Sequence, residues 1–410
     1  MAERKDLLQV ILNTYEIPGV VLSEDVFSKV TAYEVNLAAG CDESSLRKHS
    51  KEIALHLGAD SISVAKTSRD GVFCIEVLND GVDLVRIGEV FKSLEFIESD
   101  SCLTVALGKD DSGGSIVCDL KKMPHLLIGG DSCAGEVIFP DSIIMSVLRK
   151  SSPDEVRMIL ADLHSGGFSK YNGTPHMACP ALTDAKAALS ALFYIYSELD
   201  GRIASLTTGA GDFPYIIIVI NEFSGLMALS KPWLMEIVKA IGRKGKDARI
   251  HLVLATRSPD RGVVTEFLKD CIPARVAFRV ADAAHSRILL DRTGAETLED
   301  GNMLYSPAYS AKPSKIRSAY VSSAEISRVT EFLINNNNEP VYDKTLMRFI
   351  EAGAKAHSPD SVCDQIKENL SGSGLADFTG FHFDDDDDFK DDEELKAKIE
   401  DRKKDWDIDW

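Results

Sequence analysis

Long apolar runs are missing from this chain of 410 residues. The longest stretches, such as residues 215–220, have the length of a β-strand, whereas a membrane-spanning helix needs about 20 apolar residues. The first residues lead directly into an amphipathic segment, residues 6–15, and not into the apolar core of a signal peptide. We therefore expect a cytoplasmic protein without a membrane segment.

Paired cysteines and clustered histidines are missing as well. The eight cysteines contain no C-x-x-C pair, and the nine histidines are scattered without the spacing of metal ligands. These patterns indicate reduced thiols in a hydrophobic core, as is usual in the cytoplasm, and they predict no metal site. We interpret His125 and His251 as packing or strand-end residues.

Basic charge is scarce relative to acidic charge. The chain has 46 lysines and arginines against 65 aspartates and glutamates, a formal net charge of −19. Residues 384–410 hold fourteen acids and six bases, which leaves a net charge of −11 for the rest of the chain. No overall basic field therefore attracts nucleic acid, and positive charge is concentrated in local groups such as residues 121–122 and 243–246.

The last segment, residues 384–410, opens with five consecutive aspartates and ends in DWDIDW. Charge blocks of this kind are typical of disordered, solvated chain, although residues 391–404 have the acid–base spacing of a helix. We expect a disordered acidic tail whose tryptophans can anchor it to a basic partner.

A phosphate-binding loop is present in outline but lacks its chemically active side chains. An apolar strand, residues 126–128, leads to Gly130, four further residues, Gly135 and a helix-like segment. The motif G-x-x-x-x-G-K-[ST] then requires a lysine for the phosphates and a hydroxyl for Mg²⁺. Glu136 and Val137 occupy these positions, so a carboxylate repels phosphate and no oxygen is offered to the cation. The residues between the two glycines are Asp131, Ser132, Cys133 and Ala134.

Pro140 restricts where the next helix can start. Proline lacks an N–H and clashes with the carbonyl four residues earlier, which is here that of Glu136. We therefore predict that the helix starts at Val137 or later, with Asp141 in its first turn. The helix amides are then displaced from the loop, which weakens the site for phosphate.

Further motifs follow the loop in an order that identifies a family. They are LTVALGKDDSGGSIVCDLKKMPHLLIGG before and into the loop (103–130), then YNGTPH (171–176), YIIIVINEF (215–223), IHLVLATRSP (250–259), IPARVAF (272–278), HSRILLD (285–291) and GAETLEDGNMLY (294–305). In this order they resemble the motor of the FtsK/SpoIIIE family of DNA translocases. The resemblance covers residues 1–335, because the first hundred residues resemble the small domain that precedes that motor.

The resemblance and the hydrophobic pattern together predict the fold. Residues 1–100 read as an α+β domain, with hairpins at 20–38 and 61–78 and a helix at 44–59. Residues 101–335 alternate strands and helices, which predicts a RecA-like doubly wound α/β domain with a mainly parallel sheet, the P-loop NTPase fold. We assign residues 336–383 to a linker with short helices, one of them near 343–356, and residues 384–410 to the acidic tail.

The resemblance also implies which residues correspond to a site for ATP and Mg²⁺. The strand 215–220 corresponds to Walker B and ends in Asn221 and Glu222, where the family has Asp-Glu. Asn221 lacks the charge that balances the metal, whereas Glu222 is either a residual candidate base or a residue that pairs locally. Arg257 stands where the family has a glutamine at the γ-phosphate, and Lys246 stands where an arginine reaches the neighbouring subunit's nucleotide.

The family grips DNA inside a hexameric ring, so the resemblance implies double-stranded DNA as the partner. Arg261 follows the strand that carries a DNA-facing loop in the family, and the alternative reading of this segment is a solvated turn. Arg243 and Lys244 belong to a local basic patch that can contact phosphate. A homo- or hetero-hexameric ring and a role in chromosome segregation are further implications of the resemblance.

Three functions remain open from the sequence. The first is a non-hydrolysing (pseudo-ATPase) ring subunit that binds DNA or acts as a scaffold. The second is an active ATP-dependent translocase of double-stranded DNA that tolerates these substitutions or takes catalytic groups from a neighbouring subunit. The third is a regulatory module without a DNA role that docks a partner through the acidic tail. The combined loss at Glu136, Val137 and Asn221 favours the first.

Overall fold

The computed structural model describes residues 4–355 except 27–29, 39, 60–61, 68, 70, 79–83, 131–134, 165, 211, 309–311 and 337–339. Three groups of sequence predictions therefore lie outside the described residues. They are the acidic tail 384–410, residues 356–383 of the predicted linker, and the four loop residues Asp131, Ser132, Cys133 and Ala134.

The N-terminal part folds into a four-stranded antiparallel sheet, strand order β1-β2-β4-β3, with three helices. Its elements are α1 Arg4–Thr14, β1 Gly19–Val26, β2 Val30–Leu37, α2 Glu43–Lys48, α3 Ser50–His56, β3 Ile62–Lys66 and β4 Val72–Leu78. Both predicted hairpins are present, and in β2 and β4 buried and more exposed residues largely alternate, as expected for a sheet with one face on a core.

The helix predicted at 44–59 is instead two helices, because the chain leaves the helical conformation at His49 (φ −105°, ψ 18°). The His49 ring lies 5.1 Å from the ring of Tyr15 in the segment after α1, between ring centroids. This contact with a distant part of the chain is not visible in the local helix pattern.

The described residues after β4 include a ten-stranded mixed sheet whose strand order is β7-β6-β14-β13-β12-β8-β11-β10-β9, with β5 paired to β14. The strands are β5 Val85–Arg86, β6 Thr104–Lys109, β7 Ser115–Asp119, β8 His125–Gly129, β9 Val156–Asp162, β10 Tyr215–Asn221, β11 Ile250–Thr256, β12 Ala274–Ala277, β13 Asn302–Ser306 and β14 Ser314–Tyr320. The run from β12 to β9 is parallel, and β13, β14, β6 and β7 continue it in antiparallel fashion.

Helices cover both faces of this sheet. They are α4 Ile87–Phe91, α5 Leu94–Ile97, α6 Phe139–Lys150, α7 Ala185–Thr208, α8 Ser224–Lys244, α9 Glu266–Cys271, α10 Ala283–Leu290, α11 Ser323–Asn336 and α12 Lys344–Ala354. Alternate residues of β10 enter two different cores: Ile218 packs with residues of α7 and α8, and Val219 packs with residues of α6. A strand buried on both faces needs the continuous apolar run that the sequence shows, and the doubly wound P-loop fold is confirmed.

Helix α6 begins at Phe139, with Pro140 and Asp141 in its first turn. The prediction that this helix starts at Val137 or later is therefore confirmed. Proline is tolerated in a first turn because its missing N–H has no intrahelical acceptor there.

The short helix predicted near 343–356 is α12, and it contributes to the core. Leu346 and Phe349 are fully buried, and the Phe349 ring lies 5.4 Å from the ring of Tyr194 on α7. Asp343 caps the helix by accepting from the amide of Thr345, and it also accepts from the Tyr194 hydroxyl (2.6 Å). This part of the predicted linker segment is thus packed on the motor.

Glu76 of β4 joins the N-terminal domain to the motor. Its carboxylate accepts hydrogen bonds from the Tyr320 hydroxyl (3.0 Å), the Ser323 amide (3.1 Å) and the Ser323 hydroxyl. Burial raises the pKa of Glu76, because the charged form loses its water. Within the described residues, no helix has the length and apolarity required to span a membrane.

Candidate functional site

The five parallel strands end at one edge of the sheet, which is where doubly wound folds carry their ligand sites. The chain segments leaving these strands are tied to each other by backbone hydrogen bonds. Gly130 donates to the Thr256 carbonyl (3.3 Å) and Phe278 donates to the Gly129 carbonyl (2.8 Å). Leu163 donates likewise to the Asn221 carbonyl (3.1 Å). The strand ends singled out from the sequence are thus brought together here.

The side chain of Glu136 contacts both glycines of the phosphate loop, Gly130 and Gly135. Its side chain is 1% exposed, and its Oε2 accepts a hydrogen bond from the Gly135 amide at 3.2 Å. The same oxygen lies 2.8 Å from the position that a Cβ on Gly130 would take. In working loops, backbone amides of this turn face phosphate. Here a side-chain oxygen of the chain itself accepts from the Gly135 amide and lies against Gly130.

The ring of Phe278 packs against Gly135, the second glycine of the loop. Its ring carbons lie 2.1–2.2 Å from the position that a Cβ on Gly135 would take, so only glycine fits there. The ring is fully buried and lies 5.7 Å from the ring of Phe139 at the start of α6. Nothing in the sequence singles out Phe278, because its nearness to the loop depends on β12 lying beside β8.

Asn221 pairs with a neighbouring carboxylate. Its Nδ2 donates to Oδ1 of Asp162 at the end of β9 (3.3 Å), and Asp162 also accepts from the amides of His164 (3.1 Å) and Gly167 (2.6 Å). Both side chains are buried, 4% and 2% exposed. A neutral amide can donate to Asp162, whereas an aspartate at position 221 would repel it unless a cation lay between them.

Glu222 is engaged by donors at both carboxylate oxygens. Oε1 accepts from the hydroxyls of Thr256 (3.0 Å) and Ser224, and Oε2 accepts from the Arg257 amide (3.0 Å). The residue adopts a left-handed backbone conformation (φ 60°), which is uncommon outside glycine. The sequence left two roles open for Glu222, a general base or a residue that pairs locally, and these hydrogen bonds are a local pairing.

Arg257 directs its side chain across the edge of the sheet to the end of β9. Its Nη1 lies 2.8 Å from Nε2 of His164. A guanidinium can only donate, so Nε2 accepts and the imidazole carries its proton on Nδ1. This contact joins two positions that the sequence could place only on separate strand ends.

Asp141 anchors the first turn of α6 to the segment after β9. Its carboxylate accepts from Lys170 Nζ (2.7 Å) and from the hydroxyl of the buried Tyr171 (2.8 Å). Burial and the adjacent carboxylate raise the pKa of Tyr171 well above its usual value, so the phenol remains a donor. The displaced start of α6 is therefore held in place by side chains.

The basic residues selected for ligands or DNA lie at two opposite edges of the sheet. Arg243 and Lys244 end α8, and Lys246 follows in the turn before β11, at the amino end of the strands. Lys244 pairs with Asp200 (2.8 Å). Arg261 is exposed in the segment after β11, at the carboxyl edge. The structure thus does not bring Arg261 together with Arg243 and Lys244, and Lys246 lies away from the phosphate loop of its own chain.

These residues do not fit bound ATP and Mg²⁺ in the described conformation. Glu136 lies against Gly130 and accepts from the Gly135 amide, Phe278 packs on Gly135, Val137 offers no oxygen, and Asn221 donates to Asp162. A hard cation requires oxygen ligands, and a phosphate requires donors that are not already bound to a carboxylate.

Two family models match the chain. The FtsK alpha domain matches residues 1–79, and the FtsK/SpoIIIE family matches residues 86–210. Among curated relatives, the DNA translocase FtsK 2 of Neisseria meningitidis is 34% identical over 76% of this chain and 34% of its own length. DNA translocase FtsK of Clostridium acetobutylicum is 32% identical over 87% of this chain and 49% of its own length. DNA translocase SftA of Bacillus subtilis is 31% identical over 90% of this chain and 41% of its own length. The chain therefore spans about a third to a half of these relatives.

Solved structures show the same fold at lower identity. The pCW3 conjugation coupling protein TcpA, in a monomer form with ATPγS, has a TM-score of 0.51 and 17% identity over 80% of this chain and 99% of its own. The cytoplasmic domain of the type VII secretion ATPase EccC of Thermomonospora curvata has a TM-score of 0.54 and 21% identity, over 63% and 35%. Fold, family matches and curated relatives agree, and this chain belongs to the FtsK/SpoIIIE family.

Proposed function

We propose that this chain is a non-hydrolysing subunit of an FtsK/SpoIIIE-type ring, which binds double-stranded DNA or serves as a scaffold. The observation that carries the proposal is the Glu136 carboxylate inside the phosphate loop, accepting the Gly135 amide. A side chain of the chain itself thus accepts from a backbone amide that faces phosphate in working loops.

The electrostatic cost of this arrangement is large. Two unit charges 4 Å apart at an effective dielectric of 20 interact by about 4 kcal/mol. Exchanging a lysine for a glutamate beside a phosphate therefore replaces an attraction of this order by a repulsion of similar size. Each 1.4 kcal/mol is a factor of ten in affinity, so micromolar nucleotide binding is lost.

Support for DNA as the partner comes from the family. Curated relatives that are more than 30% identical are DNA translocases, but the chain spans only part of each. The exposed Arg261 at the carboxyl edge is the candidate contact on that edge, and Arg243 and Lys244 are candidates on the other.

The deciding experiment is equilibrium binding of a fluorescent ATP analogue with Mg²⁺, with and without double-stranded DNA, beside a measurement of phosphate release. We expect no saturable binding that depends on the phosphate loop, up to millimolar nucleotide, and no DNA-stimulated release. Micromolar binding by the wild-type chain, lost in a Val137→Glu variant at the partly exposed end of the loop, would contradict the proposal, because the loop would then hold nucleotide.

An active ATP-dependent translocase is the second candidate, and the retained Glu222 and Asp162 at the strand ends favour it. In that case DNA stimulates phosphate release, and Glu222→Gln abolishes it. Glu95→Gln, an exposed change on α5, is the matched control. Release that is equal in wild type and Glu222→Gln would exclude the candidate.

A further inference from the structure

A cleft of about 440 Å³ lies where the N-terminal domain meets the motor. Three arginines from different elements line it: Arg47 of α2, Arg86 at the start of α4 and Arg328 of α11. Ser50, Ser63 and Ser322 belong to the same lining. We call this the seam cleft. Its size falls in the range of small-molecule sites.

The positive charge of the seam cleft is only partly compensated. Arg47 pairs with Glu43 and donates to the Val64 carbonyl (3.0 Å). Arg86 and Arg328 form no ion pair with any carboxylate in the part of the chain that the structure describes. Glu89 acts electrostatically on Arg86, and Arg328 donates through Nε to the Ala324 carbonyl (3.4 Å), so both guanidiniums keep further donors for a ligand. Arginines without a close ion pair, gathered in a concave site, attract an anion.

Two glutamates also border the seam cleft, and both accept hydrogen bonds from the motor. Glu325 accepts from the amide (3.0 Å) and the hydroxyl (2.8 Å) of Ser322. Glu76 accepts from Tyr320 and Ser323, and burial raises its pKa toward the neutral form. The carboxylates are thus engaged within the protein, while the guanidiniums of Arg86 and Arg328 are exposed at the cleft.

We propose that the seam cleft binds the phosphate group of a small organic molecule of about mononucleotide size. A guanidinium presents paired donors that match phosphate oxygens, and hydroxyls can complete the contacts. The cleft is built from both domains, so a bound phosphate would also hold the N-terminal domain against the motor.

The test is isothermal titration of the full chain with AMP, at constant ionic strength. We expect one saturable site whose affinity falls about tenfold in Arg86→Gln and in Arg328→Gln. Arg328→Lys, which keeps the charge but loses the planar fork, should fall between wild type and Arg328→Gln. Arg149→Gln, at the exposed end of α6 outside the cleft, should bind like wild type.

The proposal would be overturned if the heat of binding showed no saturation up to millimolar AMP, or if all variants bound AMP with equal affinity. A parallel titration with a short DNA duplex distinguishes the source of the phosphate. Arginine-dependent binding of the duplex without binding of AMP would overturn the small-molecule assignment. This test is separate from that of the phosphate loop, because nucleotide binding lost in Arg86→Gln but kept in Val137→Glu belongs to the cleft.

Discussion

At position 136 a glutamate replaces the lysine of a phosphate loop. For nucleotide binding, the direction of the Glu136 side chain matters as much as its charge. The side chain turns inward and takes the Gly135 amide, with Phe278 packed behind that glycine. At the end of β10, the side-chain amide of Asn221 donates to Asp162 in a comparable way. These substitutions replace interactions with a ligand by interactions within the chain.

Reversing the loop substitutions should restore binding but not chemistry. We expect the double variant Glu136→Lys, Val137→Ser to bind a fluorescent ATP analogue at least about tenfold more tightly than wild type, because an attraction replaces a repulsion. Turnover should stay absent, since Asn221 still pairs with Asp162 and α6 still starts at Phe139.

Glu136→Gln, which removes the charge alone, is the matched control and should recover only part of the affinity. Measurable hydrolysis by the double variant would show that Asn221 and the late start of α6 do not prevent turnover.

Among the elements, strands β8 and β11 carry buried histidines near their starts, His125 as the first residue of β8 and His251 as the second of β11. His125 accepts the Leu252 amide at Nδ1 (3.1 Å), and His251 Nδ1 lies 2.9 Å from the Pro124 carbonyl. Burial, above all, lowers the pKa of His125 to about 3 and that of His251 to about 4. Asp119, Lys121 and Lys246 are charged neighbours that also act on His251. Both imidazoles are thus neutral parts of the core, as the sequence interpretation had it.

The fold should lose stability in mild acid because of this pair. The unfolded chain binds these protons near pH 6.5, whereas the folded chain does not bind them until about pH 4 or below. Stability therefore falls as the pH drops below 6.5, by about 2 kcal/mol per histidine between pH 7 and 5. Urea unfolding at both pH values measures this difference.

In His125→Asn, which keeps an acceptor for the Leu252 amide, the loss between pH 7 and 5 should be about 2 kcal/mol smaller than in wild type. The exposed His56→Asn is the matched control. An unchanged pH dependence in His125→Asn would mean that His125 does not contribute.

Across the whole molecule, the acidic charge is concentrated at the C-terminal end of the sequence. Residues 384–410 carry a net charge of −8 against −11 for all the rest. Such a segment can compete with DNA phosphates for the exposed Arg243 and Arg261.

Replacing the five aspartates 384–388 by asparagine in the full chain should raise the affinity for duplex DNA without nucleotide. The gain should shrink as salt is added, because screening weakens the competition. Fluorescence anisotropy at two salt concentrations measures both effects. Five aspartate-to-glutamate changes keep the charge and serve as control. Absence of DNA binding in every variant would instead favour the regulatory module that docks a partner through the tail.

Much of this protein is determined locally, along the chain. The β-branched run at 215–220 requires a strand buried on both faces, Pro140 delays α6, and the glycine spacing marks the loop. The missing lysine and hydroxyl at 136 and 137 were also evident from the sequence, and with them the mismatch to phosphate. These inferences hold because each depends on neighbours within a few residues.

Tertiary structure alone decided which distant residues meet. The break at His49, the Phe278 ring behind Gly135, the contact of Arg257 with His164 and the packing of α12 on α7 all join segments far apart in sequence. The seam cleft is of the same kind, since Arg86 and Arg328 face it from opposite ends of the motor sequence. Such contacts follow from strand order and side-chain packing, which a period-two or period-3.6 pattern does not encode.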